Sequence, residues 1–201
     1  MPFTLCYNRS YAANAAKEVR SDMDGKERAR PLIRKKVKGT ELPAFLQTIR
    51  ETGIGVDGLL FLCIGTDRST GDALGPLVGT MLEEAGYPYV IGTLRQPLDA
   101  SNMRERLLTE VVPHMAQRRV IAIDAGLGQA SSVCWYQVSN QPMEPGKSLG
   151  KQLPAVGDYS IAGIVNVDEG QKYAILQSTS LYRVMSMAGE IAAAVKLIFP
   201  L

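Results

Sequence analysis

Two aspartates have the type and setting to activate a water between them. Asp72 lies in GTDRSTGDALGP (65–76), a loop with glycines at 65, 71 and 75, and Asp124 closes the apolar run VIAID (120–124). Two carboxylates in one small, dry site cannot both ionise freely. One is left as acid and the other as base, which suffices to position and activate one water. The same pair could instead grip a divalent cation. Each also has a structural alternative: Asp72 as a helix N-cap, Asp124 as the cap of the GLG turn that follows it.

Other residues could serve this pair. Gly65, Thr66 and Gly71 would allow close backbone approach, with amides available to an oxyanion. Arg68 could hold a substrate carbonyl or carboxylate, or form a solvated surface pair with Asp67. Asp158, after Pro154 and Gly157, could complete the site or cap the start of a strand. Competing chemistries find little support. A P-loop needs Lys where Asp72 stands, and a carboxylate there would repel phosphates. GLGQAS (126–131) imitates a dinucleotide fingerprint but precedes a strand-like segment, SVCWYQVS, instead of a helix. The single histidine, His114, sits in an apolar helical stretch, which argues against His-dependent triads and metal sites. Cys63 falls within an apolar strand and reads as an inert thiol.

The elements that must position these residues alternate along the chain. Residues 58–64 read as a buried strand entered through an Asp57-Gly58 turn, and 74–84 as a helix stopped by Gly86. A strand at 89–94 precedes a helix capped among Asp99, Ser101 and Asn102 and running to about residue 117. VIAI is then a central parallel strand. Segments 132–139, 159–167 and 172–179 read as further strands, with loop at 140–157 and a turn near 168–170. A helix at 181–199 carries Leu181, Val184, Met185, Ala188, Ile191 and Val195 near one face. Another helix is expected from a cap at Thr40 to Glu51, and a short one near 12–20. The alternation predicts a three-layer α/β/α sandwich with a mostly parallel, mixed sheet.

Charge divides the chain. Residues 1–39 hold ten Lys/Arg and four Asp/Glu, net +6, whereas 40–201 hold twelve and sixteen, net −4. The expected organisation is a basic, partly disordered arm over 1–39 and a single α/β/α domain over 40–201. No aromatic residues interleave with RARPLIRKKVKG, so no nucleic-acid partner is expected. No apolar stretch is long enough to span a bilayer, and no secretory signal pattern is present. Three scattered cysteines fit a reducing compartment, so a cytoplasmic location is expected.

With both aspartate motifs in view, the chain resembles a known family. TGDALGP (70–76) and IDAG (123–126) are similar to the aspartate motifs of the spore germination endopeptidase. In size and in LPAVGDYSIAGIVNV (153–167) the chain is closer to the YyaC-type sporulation proteins, compact relatives of that peptidase. The resemblance covers roughly 45–200 and extends more distantly to the hydrogenase-maturation proteases. It implies a phosphorylase/hydrolase-like fold and an aspartate pair, Asp72 and Asp124, as the peptidase site. It further implies a peptide or small spore-protein substrate, met in the sporulating cell or spore interior. The maturation proteases add a histidine to hold nickel, and GDYS (157–160), where it would fall, has none. No cofactor is therefore expected, with a divalent ion between the two aspartates as the alternative.

Overall fold

The protein's structure, a computed structural model, describes residues 31–145 and 153–201. The expected helix near 12–20 lies outside the described residues. Six strands form one sheet: β1 Arg34–Val37, β2 Leu59–Cys63, β3 Val90–Ile91, β4 Arg119–Gly128, β5 Tyr136–Ser139 and β6 Tyr159–Val167. Their spatial order is β1-β5-β6-β4-β2-β3. β3, β2, β4 and β6 are parallel neighbours, while β5 pairs antiparallel with β6 and β1 antiparallel with β5. The helices are α1 Leu42–Arg50, α2 Leu74–Glu84, α3 Met103–Arg106, α4 Lys172–Gln177 and α5 Leu181–Ile198.

All five residues of β2 are buried, and strand geometry sends them alternately to two faces. Leu59, Phe61 and Cys63 join a large apolar cluster containing the inner faces of α1, α2 and α5. Leu60 and Leu62 join a second, with Leu98, Met103, Val111 and Val156. Helical segments thus cover both faces, and the sheet is mixed as expected. Helix α1 buries Leu42, Phe45, Leu46 and Ile49, the i, i+3, i+4, i+7 stripe of a one-sided helix. Helix α2 lies directly on the sheet backbone. A Cβ at Gly75 would stand 2.0 Å from the Ile64 carbonyl oxygen, and one at Gly79 2.1 Å from that of Gly92.

Several elements differ from the sequence reading. Segment 172–179 contains helix α4, not a strand. Within 172–177 only Leu176 is buried, and Ser178 and Thr179 hydroxyls donate back to the Ala174 and Ile175 carbonyls. A short apolar run has no period that decides between the two forms. β3 stops at Ile91 because Gly92 turns away at φ 92°. The helix expected to reach residue 117 is regular only through Arg106. It widens into a π turn at Leu107–Val111 and tightens at Val112–His114, where Pro113 has no N–H to donate. The strand expected from residue 132 begins at Tyr136, after Cys134 adopts φ 67°. Thr40 does not cap α1: Glu41 occupies that position and returns its carboxylate to the Lys38 N–H at 2.8 Å. On α5 the buried stripe is Val184, Met187, Ala188, Ile191 and Val195, while Leu181 and Met185 are exposed. Finally, Arg34–Val37 of the basic arm belongs to the sheet as its edge strand.

Candidate functional site

β2 and β4 are parallel neighbours in register Cys63↔Ile123, so both deliver their carboxyl ends to one rim. β4 does not stop at Asp124. It continues to Gly128 paired with β6, with a bulge between Gly126 and Leu127. Asp124 is therefore the first residue of a two-stranded ledge that overhangs the end of β2, and not the cap of a turn. Its Oδ1 accepts the Ala125 N–H at 2.8 Å.

The glycine loop leaves β2 across this ledge. Gly65 adopts φ 145°, where a Cβ would lie 2.0 Å from the Asp72 carbonyl oxygen. The loop closes through Thr66 N–H donating to that same oxygen at 3.1 Å. Asp72 sits in a single 3-10 turn, Gly71–Ala73, which packs against β4. The N-cap of α2 is Ala73, so Asp72 is not its capping residue. Both aspartates are half-buried. Gly71 packs on α4, where a Cβ would meet Leu176 Cδ2 at 2.7 Å and its carbonyl oxygen at 2.9 Å.

The other expected site residues divide. Asp67 and Arg68 are exposed on the loop, but they are not each other's partners. Arg68 Nη2 meets Asp99 Oδ2 at 2.6 Å, and its Nε donates to Thr66 Oγ1 at 3.3 Å. Burial alone would raise the Asp99 pKa, yet hydrogen bonds from Ser101 and Arg68 outweigh it and hold the carboxyl below its ordinary value. The amides of Gly65 and Thr66 are committed to Leu98 and Asp72 carbonyls at 2.9 and 3.1 Å. They cannot also serve an oxyanion, which corrects that expectation.

Asp158 lies at the opposite end of the sheet. Its Oδ2 accepts the Val120 N–H at 2.8 Å and its Oδ1 is 3.7 Å from Arg119 Nη1. Val120 is four residues before Asp124 on β4, roughly 13 Å along a strand. Asp158 caps the start of the β4–β6 pair and does not join the aspartates. Cys63 is fully buried, and burial pushes its thiol well above the usual range, consistent with an inert role.

Sequence reading missed three contributors to this rim. Asp99 was legible only as a cap, although it holds Arg68 across the loop. Helix α4 was hidden by an ambiguous apolar run. Ser69 carries a buried hydroxyl with no hydrogen-bond partner among the described residues, a feature that no pattern announces. Among the described residues, no group of three or more His, Cys, Asp or Glu could hold a metal ion. No helix among them is long and apolar enough to cross a membrane.

Comparison with known proteins adds a family. A family model described as "Protein of unknown function (DUF1256)" matches residues 34–194. The chain is also 43% identical, over 141 residues, to a Bacillus subtilis (strain 168) protein described as "Uncharacterized protein YyaC". That match covers 69% of this chain and 68% of the relative.

Proposed function

We propose that this protein, which belongs to the DUF1256 family of proteins of unknown function, is a hydrolase whose Asp72 and Asp124 activate water against a peptide bond. The observation that carries this reading is the β2–β4 register, which brings the two aspartate-bearing segments to one rim, with the Asp72 turn packed on the strand that bears Asp124. One carboxylate takes a proton from water and the other gives one to the leaving amine, so the pair still holds one proton, which must pass back between the two carboxylates before the next turnover. The ledge beyond Asp124 offers a surface along which an extended substrate can lie. Peptides or small spore proteins, met in the cytoplasm of a sporulating cell, are the substrate class that the resemblance to germination endopeptidases suggests.

The test is proteolysis of a spore-protein extract by the wild type and by Asp72→Asn and Asp124→Asn. Either change should reduce cleavage roughly 10²–10⁴-fold while leaving thermal unfolding nearly unchanged. Cleavage that survives both changes removes the site. If a divalent ion lies between the two carboxylates, chelation should abolish activity and the same two variants should lose the bound metal. A second reading has its own support. The Asp124 carboxylate already accepts a backbone N–H, as in a module that binds a peptide on the ledge without cutting it. Wild-type protein that retains a spore peptide intact, with no turnover, would favour that reading.

A further inference from the structure

We propose that the outer edge of β1 is a docking strand for an extended, acidic segment of a partner protein, bound by strand addition. β1 is the terminal strand of the sheet order. Ile33 directs both backbone groups inward: its carbonyl accepts the Asn140 N–H at 3.1 Å and its N–H donates to Asn140 Oδ1 at 2.9 Å. Alternation along an antiparallel strand then turns the N–H and C=O of Arg34 and Lys36 outward. These groups form a ready template for one further strand.

The side chains specify the occupant. Arg34, Lys35, Lys36 and Lys38 are all exposed, and none is ion-paired to a carboxylate of the described residues. Lysines on an edge deter a like-charged strand and favour an acidic one. The chain's own preceding residues, 1–30, carry six Lys/Arg against four Asp/Glu, a net of +2, and match this edge poorly. The two faces of the edge differ as well. Val37 is buried in the same core cluster as Phe45, and Lys35 shares its face by the two-residue period. There a groove of about 300 Å³ opens between β1 and α1, lined by Leu32, Ile33, Lys35, Phe45 and Thr48 and by the strand at Arg34. Arg34 and Lys36 lie on the opposite face, where Lys36 Nζ donates to Ser132 Oγ at 2.8 Å. A strand added here places one set of alternate residues over the apolar groove and the other beside two cations. The matching sequence alternates apolar and acidic residues. This surface stands three strands from Asp124 and does not depend on peptidase activity.

The test uses the full chain and a fluorescent peptide of about ten residues alternating Val and Glu, with a Val and Lys peptide as control. Binding should favour the acidic peptide, weaken between about 50 and 300 mM salt, and protect the Arg34 and Lys36 amides from hydrogen exchange. Lys36→Gln keeps the outward N–H and should cost no more than about threefold in affinity. Lys36→Pro removes that N–H while leaving the bonds to β5, and should cost at least about tenfold. Unprotected amides in the wild-type complex, equal binding of the basic peptide, or equal binding by the two variants would overturn the proposal. So would a dimer of the free chain that buries this edge and excludes the peptide, since the occupant would then be a second copy.

Discussion

Asp72 and Asp124 reach the rim by different means. Asp124 is held by a strand paired on both sides up to that point, so its backbone has little freedom. Asp72 rides on a loop whose shape depends on Gly65 and on the Arg68–Asp99 pair. That pair makes the loop sensitive to acid. The folded Asp99 carboxyl titrates below its ordinary value of 3.8, so its stabilising contribution is complete above that value and is lost as pH falls through the lowered one. Because the Arg68 side chain is 74% exposed, the contribution should be under about 1 kcal/mol. Asp99→Asn should therefore unfold slightly earlier than wild type near pH 6, with the difference shrinking as the pH falls below 3.8. A difference that persisted in acid would mean that the pair does not tie the loop. Pairing of the charged residues was not legible in the sequence: Asp67 is adjacent to Arg68, but Asp99 is brought close by the Ile64↔Leu98 bridge.

Among the elements, α2 and α4 set the Asp72 turn from two sides. Helix α2 was legible to the residue at both ends, because the glycine loop and Gly86 bracket a strongly apolar run. Helix α4 was not, because six residues are too few to display a period. Its role follows from one contact, Gly71 against Leu176. Gly71→Ala should cost roughly 1–3 kcal/mol, since the added methyl meets a backbone carbonyl as well as a side chain that can move. It should also impair any activity that depends on Asp72, by displacing the turn. Full stability and full activity in Gly71→Ala would show that α4 does not support the site. Leu176→Ala, which leaves a cavity instead of a clash, should cost about 2–5 kcal/mol.

For the molecule as a whole, the antiparallel half of the sheet joins the basic edge to the core through Tyr136. Its ring is fully buried, and its hydroxyl donates to Glu190 Oε2 at 2.8 Å, with the Met187 carbonyl oxygen 3.1 Å away. Burial, then the hydrogen bond to Glu190, raises its pKa well above the ordinary 10.0. The unfolded chain loses this proton more easily than the folded one, so stability should be full below about pH 10 and decline above it. Tyr136→Phe should lower stability by roughly 1–2 kcal/mol near neutral pH and flatten that alkaline decline, as read from denaturant midpoints across the pH range. A decline equally steep in Tyr136→Phe would assign it to other groups.

Features with a local cause are already readable in the residue pattern. β2, β6 and α5 were legible because five to eighteen consecutive residues carry one consistent burial pattern. The elements that carry the two aspartates were legible because strand–glycine-loop–helix and strand–Asp–Ala–Gly are short, directional patterns. The folded packing set whatever depends on contacts between distant segments. It extended β4 past Asp124 through pairing with β6, committed the Gly65 and Thr66 amides to Leu98 and Asp72, and sent Asp158 to the far end of the sheet. It also drew Arg34–Val37 out of the basic arm and into the ladder, since three charged residues and one valine form a strand only when a partner strand supplies their hydrogen bonds. Backbone pairing is nearly blind to side-chain type, and that is why these outcomes left so little trace in residue patterns.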